Sequence, residues 1–167
     1  MALTVERIQQ ARERISPYIV QTPMLRMKSL DRYLGCQVYV KAECMQTTGS
    51  FKLRGAVNKA LTLTPEQLKC GIVAASSGNH GKGIAYAAKM LGSKATIVVP
   101  YTTTQVKVDA IRALGAEIVQ CETPVRFQVA EELSRKLGAT MIQSFNDEDI
   151  MAGQGTAGLE IVEQCPE

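Results

Sequence analysis

Residues 91–142 read LGSKATIVVPYTTTQVKVDAIRALGAEIVQCETPVRFQVAEELSRKLGATMI, and this stretch decides the fold. A Leu-Gly pair followed by a small residue recurs in it at Leu91-Gly92-Ser93, Leu114-Gly115-Ala116 and Leu137-Gly138-Ala139, each 23 residues after the last. Each glycine stands where a helix ends in a left-handed residue, and a short strand-like run follows each: Ala95 to Val99, Glu117 to Gln120, Thr140 to Ile142. The spacing predicts helices upstream of the three stops: Gly83 to Leu91, Gln105 to Leu114 capped by Thr104, and Arg126 to Leu137 with Val129, Leu133 and Leu137 on one face. Strand Ile72 to Ala75 precedes the first of them. Short apolar strands alternating with helices imply an α/β fold, an open parallel sheet of about four strands with helices on both faces.

Working outward, the N-terminal third follows another plan. A helix is expected from Thr4 to Ile15, with Val5, Ile8 and Ile15 on one face and Pro17 as its stop. Thr22-Pro23 imposes an extended segment. A strand follows at Gln37 to Lys41, then the polar loop Gln46 to Gly49 and a helix from Ser50 to Leu61. Thr64-Pro65-Glu66-Gln67 has the form of a capping box opening another helix. Glu148 to Gln164 reads as helical but carries Gly153, Gly155 and Gly158, so either another backbone approaches it closely or the helix breaks there.

Composition narrows the function classes. Nineteen Lys plus Arg against 16 Asp plus Glu leave a formal charge of +3, with 46% hydrophobic residues. The positive charge is scattered, so nucleic acid is not an expected partner. No apolar run approaches the ~20 residues of a membrane helix, and the N-terminus has no apolar core of a signal peptide. Membrane association is not expected either. Five cysteines (Cys36, Cys44, Cys70, Cys121, Cys165) without a C-x-x-C pair and with His80 as the sole histidine argue against disulfides and zinc and for a reducing cytoplasm. Cys44 and Cys121 read as buried small hydrophobes.

Two segments carry chemistry. In Ser50-Phe51-Lys52-Leu53-Arg54-Gly55-Ala56, Lys52 falls in the first turn of a helix, where the positive end of the helix dipole disfavours its protonated form. Residue patterning leaves two readings, a solvated surface lysine or a nucleophilic amine walled by Phe51. In Ser76-Ser77-Gly78-Asn79-His80-Gly81, small and polar residues link a strand's C-terminal end to a helix. That is either a plain turn or an anion-binding nest for a carboxylate or phosphate. Gly78, Gly81 and Gly83 invert the dinucleotide spacing, and no acidic residue stands about 20 residues on, which argues against a nicotinamide cofactor. His80 reads as support for the loop rather than as a base.

Together the two segments resemble the pyridoxal-phosphate enzymes of fold type II, the threonine dehydratase and serine racemase family. Thr22-Pro23 and Ala152-Gly153-Gln154-Gly155-Thr156 add to the resemblance, which runs through essentially the whole chain. It implies that Lys52 holds pyridoxal 5′-phosphate and, once freed, removes a substrate's α-proton. Asn79 would bond the cofactor's phenolic oxygen, Phe51 would line its pocket, and Asn146 would lie near it. Ser76, Ser77, Gly78, Asn79 and His80 would take the substrate carboxylate. Ser77 would serve as a second acid or base in racemising members, where many dedicated dehydratases carry alanine. The implied reaction turns threonine or serine into a 2-oxo acid and ammonia, with serine racemisation or a non-catalytic, self-associating fragment as alternatives.

The resemblance also implies domain limits: residues 1–70 as the N-terminal part of a large domain, 71–145 as a small α/β domain, and 146–167 as the start of a return to the large one. The loop cradling the cofactor phosphate and most of the large domain have no counterpart here. The sequence therefore reads as a truncated form: inactive alone, with no metal site, a homo-oligomer, and with both flanks mobile or exchanged between copies.

Overall fold

The computed structural model describes residues 3–165. Helix α1 (Val5–Ile15) is capped by Thr4, whose hydroxyl accepts from the Arg7 N–H. Its inward face is Ile8, Ala11 and Ile15. Val5, expected on that face, is 56% exposed. Pro17 follows in a 3-10 turn. Strands β1 (Met24–Arg26) and β2 (Tyr39–Lys41) then pair antiparallel. Between them lies α2 (Lys28–Leu34), which the sequence reading did not place, ending at Gly35 with φ of 69°. A second 3-10 turn, Glu43–Met45, leads through the Gln46–Gly49 loop to α3 (Lys52–Leu61). Helix α4 (Pro65–Cys70) carries the expected capping box in full.

Then comes the alternating layer: β3 (Ile72–Ala75), α5 (Asn79–Met90), β4 (Ala95–Pro100), α6 (Gln105–Arg112), β5 (Glu117–Cys121), α7 (Arg126–Leu137) and β6 (Thr140–Met141). The three repeated glycines all adopt positive φ, 67°, 89° and 65°, as helix stops before strands. All strand pairs of the layer are parallel, in the order β5-β4-β3-β6. Period-2 alternation divides the sheet's residues between two covers. Ile72, Ala74, Ile97 and Val99 belong to a core shared with α5, α6 and α3, and Val73, Val98 and Cys121 pack with Ala130, Val129 and Leu133 of α7. Leu137, expected on that face, is half exposed at the helix end. Thr104 holds the expected N-cap position of α6, but its side chain makes no cap bond.

Helix α8 (Glu148–Gln164) closes the chain, unbroken. Its Gly153 lies where a Cβ would stand 2.5 Å from the Arg54 carbonyl oxygen, so α3 is the backbone that approaches it. Gly55 is its counterpart on α3, where a Cβ would meet the Ile150 carbonyl at 2.8 Å. The flanks expected to be mobile or exchanged instead pack on the sheet layer: Ile15, Leu53, Val57 and Ile150 share one core with Ile72, Ile84 and Ile97. All five cysteines are unpaired, and Cys44, expected to be buried, is exposed on its 3-10 turn. Among the described residues no helix is long and apolar enough to cross a membrane.

Candidate active site

The strand order fixes where a site forms. From β3 the chain steps outward through β4 and β5, then returns to the other side of β3 as β6. The connections leaving the C-terminal ends of β3 and β6 therefore diverge, opening the crevice in which α/β sheets bind ligands. Loop 76–78 follows β3 and loop 142–147 follows β6.

Lys52 is the first residue of α3, reached through Gly49 at φ of 75°. The Ser50 hydroxyl accepts from the Lys52 N–H at 3.2 Å, which satisfies one otherwise free donor of the helix start. The Lys52 ammonium donates to the Ser144 carbonyl at 3.2 Å and lies 5.1 Å from the centre of the Phe51 ring. Among the described residues no carboxylate pairs with it, and burial pushes its pKa below the ordinary lysine value. Phe51 is 40% exposed, a partial rather than a closed wall.

Helix α5 begins at Asn79, four residues before the start expected from its glycines. Gly81 is a steric necessity, since a Cβ there would sit 2.6 Å from the Ser76 carbonyl, and Gly83 is a close approach to α3, where a Cβ would sit 3.1 Å from the Ala56 Cβ and 3.3 Å from the Lys52 carbonyl. Asn79 is the exposed first residue of α5 and lies one turn before Gly83. The first-turn N–H groups of α5 have no acceptor within the helix, and the Ser76 hydroxyl accepts from the Gly78 N–H at 3.3 Å. His80 is 4% exposed. Its Nε2 lies 3.3 Å from the Ile142 carbonyl, Nδ1 has no partner, and burial foremost drives its pKa down to about 4. The ring is therefore neutral at pH 7 and donates to the β6 loop; only its backbone N–H is available to a ligand.

Lys52 and His80 thus bind carbonyls two residues apart in one loop, and that loop is itself pinned. Asn58 donates to the Asp149 carbonyl at 2.7 Å, and Lys59 pairs with Asp147 and Asp149. Asn146, in the same loop, is exposed with a φ of 58°, the sole positive value at a non-glycine among the described residues. Ser77, Gly78 and Asn79 line a cleft of about 190 Å³ between α5 and α6, joined by Lys82 and Lys107. Lys52 does not line it. A larger cleft, about 410 Å³, lies between α1 and α8 away from Lys52 and holds none of the expected site residues.

Sequence reasoning missed the Ser144 and Ile142 carbonyls, which no side-chain signal reveals. It also missed a buried charge cluster beneath α3. Arg54, fully buried, donates to both oxygens of Glu43 at 2.8 and 2.9 Å and to both of Glu160 at 2.6 and 2.8 Å, while Lys41 pairs with Glu160 at 2.5 Å.

Residues 15–167 match the family model described as pyridoxal-phosphate dependent enzyme. A putative threonine dehydratase of Sinorhizobium fredii is 44% identical over 99% of this chain and 50% of its own length. A serine racemase of Oryza sativa is 38% identical over 99% of this chain and 50% of its own. The crystal structure of a pyridoxal 5′-phosphate-dependent aspartate racemase, 44% identical, superposes with a TM-score of 0.94 over 100% of this chain and 53% of that one. The chain spans about half the length of the curated relatives it matches.

Proposed function

We propose, from the premise that this chain belongs to the pyridoxal-phosphate dependent enzyme family, that it carries the lysine-bearing half of a threonine or serine dehydratase, an ammonia-lyase yielding a 2-oxo acid. One observation carries the reading: Lys52 is an amine with no acid partner among the described residues, depressed in pKa and held at a helix start beside Phe51. That amine fits the cofactor, whose carbonyl carbon is attacked by an unprotonated lysine. When bound, pyridoxal phosphate stores the electron pair left on a substrate's α-carbon.

The chain's own residues do the rest. Lys52 holds the cofactor and, once free, takes the α-proton on its Nζ. Asn79 donates its side-chain amide to the cofactor's phenolic oxygen, Phe51 shields one side, and Asn146 completes the pocket from the β6 loop. Ser76, Ser77, Gly78, Asn79 and the His80 backbone offer N–H and hydroxyl groups to the substrate carboxylate at the positive end of α5. In this reading residues 1–70 and 146–167 belong to the larger, cofactor-holding domain, 71–145 form the smaller one, and the protein works in the cytoplasm.

Two further readings each have an observation behind them. Ser77, which lines the α5–α6 cleft while Lys52 does not, favours a serine racemase in which its hydroxyl acts as second acid or base. Exposed Tyr33, Leu34 and Val162 favour a homo-oligomer and, for this chain alone, a non-catalytic self-associating state.

The test is to add pyridoxal phosphate, reduce with borohydride and map the modified peptide. Label concentrated on Lys52, lost in Lys52→Ala, is the expected result, with no sustained ammonia release by this chain alone. Label spread over other lysines would refute the assignment.

A further inference from the structure

Three motif residues that the dehydratase reading leaves without a role meet in the buried charge cluster beneath α3: Thr22 of Thr22-Pro23, Arg54 of the lysine motif and Thr156 of segment 152–156. The Thr22 hydroxyl donates to Glu43 at 2.5 Å, Lys41 donates to the Thr22 carbonyl at 2.5 Å, and Arg54 Nη1 donates to the Thr156 hydroxyl at 3.2 Å. With the bonds to Glu43 and Glu160, every N–H of the guanidinium has an acceptor. Stability alone does not account for this set. Desolvating buried ions offsets much of what their pairing returns, and apolar side chains of similar volume can fill such a space as favourably. What a forked guanidinium adds, and an apolar side chain does not, is direction.

Direction is needed where α3 crosses α8. Gly55 and Gly153 bring the two backbones together, since a Cβ on Gly153 would stand 2.7 Å from the Gly55 Cα. A contact between glycines has no side-chain ridge seated in a groove, so it leaves the sliding position of one helix on the other unset. Arg54 sets it, with one fork on Glu160 of α8 and the other on Glu43. Lys52 is tied to this joint from two sides. Glu43 stands before the loop that enters α3 and Arg54 two residues after Lys52, so the Glu43–Arg54 fork closes a loop that contains Lys52. Helix α8 begins just after the loop whose Ser144 carbonyl receives the lysine, and its cap Asp147 accepts from the Asp149 and Ile150 N–H groups. A slide of α3 along α8 would part the ammonium from that carbonyl and return it to water.

We propose that Arg54 is a positioning residue for Lys52: its forked bonds to Glu43 and Glu160 set the register of α3 on α8 and thereby hold the Lys52 amine at the Ser144 carbonyl. Its part in catalysis rests on the reading of Lys52 as the cofactor lysine; its geometry does not.

The chain without cofactor is acetylated with trace acetic anhydride from neutral to alkaline pH, and the reactivity of Lys52 is read by peptide mapping against the exposed Lys89 and Lys136. Burial holds the parent Lys52 below the ordinary lysine pKa. Arg54→Lys keeps the positive charge and loses the fork, so the Lys52 profile should move to higher pH, with about tenfold less neutral amine at pH 7. Thr156→Val removes one bond to the guanidinium and should move the profile the same way by less. Leu133→Ala, in the core on the α7 side of the sheet, lowers stability away from the cluster and should leave the profile in place. Amide NMR spectra of the sheet layer report whether each variant folds. An Arg54→Lys chain that loses stability in urea yet keeps the parent profile would overturn the proposal, leaving the cluster a structural joint only. Should Arg54→Lys not fold, Thr156→Val decides, and an unmoved profile there overturns the proposal equally. A profile moved as far by Leu133→Ala as by the cluster variants also overturns it, because general loosening would then be the cause. Borohydride mapping with pyridoxal phosphate on the same samples separates the two readings. Label away from Lys52 in the parent overturns the dehydratase reading alone; label on Lys52 with a profile indifferent to Arg54 and Thr156 overturns the positioning role alone.

Discussion

His80 shows what a single residue's burial does. The ring is sealed from water, gives its Nε2 hydrogen to the Ile142 carbonyl and leaves Nδ1 without a partner. Protonating it requires charging a buried group, and its pKa falls from 6.5 to about 4. Since the folded value lies below the unfolded one, the unfolded chain binds the extra proton first as pH drops. The stabilisation is complete above about pH 6.5 and is lost as pH falls through 4. Between pH 7 and pH 5 the loss should be about 2 kcal/mol. His80→Gln, which can keep a donor toward Ile142, should remove that part of the pH dependence in urea unfolding measured at both pH values. An unchanged slope would mean the ring titrates freely. At this scale the sequence was informative about side chains and silent about main chain. Lys52, Ser76 and Asn79 were visible in their motifs, whereas the Ser144 carbonyl that receives the lysine carries no residue identity to read.

Elements are governed by which glycines are steric and which are not. Sequence patterning places the start of α5 at Gly83, yet the helix begins at Asn79, with Gly81 passing the Ser76 carbonyl where a Cβ would stand 2.6 Å away. Period and caps located the four strands of the parallel layer, the capping box at Thr64 and the three glycine stops, since those signals are local, whereas β1 was legible only as the extended segment that Thr22-Pro23 imposes. Helix α2 escaped notice because its N-cap position, Met27, offers no capping side chain. Helix α8 allows a direct comparison within seventeen residues. Gly153→Ala would drive a Cβ to 2.5 Å from the Arg54 carbonyl and 2.7 Å from the Gly55 Cα, backbone atoms that cannot swing aside. It should destabilise by the upper end of about 1–3 kcal/mol. Gly158 has nothing within 4 Å of an added Cβ, so Gly158→Ala should stabilise by about 1 kcal/mol through helix propensity. Urea midpoints moving in the same direction for both would show that the α3–α8 crossing is looser than described.

Across the whole molecule, the flanks are tied together by charge buried under α3. Arg54 reaches Glu43, 11 residues away, and Glu160, 106 residues away, and Lys41 completes a set of two cations and two anions. No sequence window spans those separations, which is why Arg54 was legible as part of a motif but not as the joint between residues 1–70 and α8. Burial pushes the Glu160 carboxyl upward, but hydrogen bonds from Arg54 and Lys41 outweigh it and hold its pKa below the usual range. Its contribution is therefore present at neutral pH and lost as pH falls through that lowered value. Removing one partner of such a cluster strands the others, which costs more than the cluster contributes over a neutral replacement. Arg54→Met should destabilise the chain by about 3–5 kcal/mol. Arg54→Met with Glu160→Gln leaves one cation and one anion, Lys41 and Glu43, and should recover a large part of that loss. Urea unfolding at pH 7 of parent, single and double variants measures both. If the double variant is no more stable than the single one, bidentate geometry rather than charge balance is what joins the two ends of the chain.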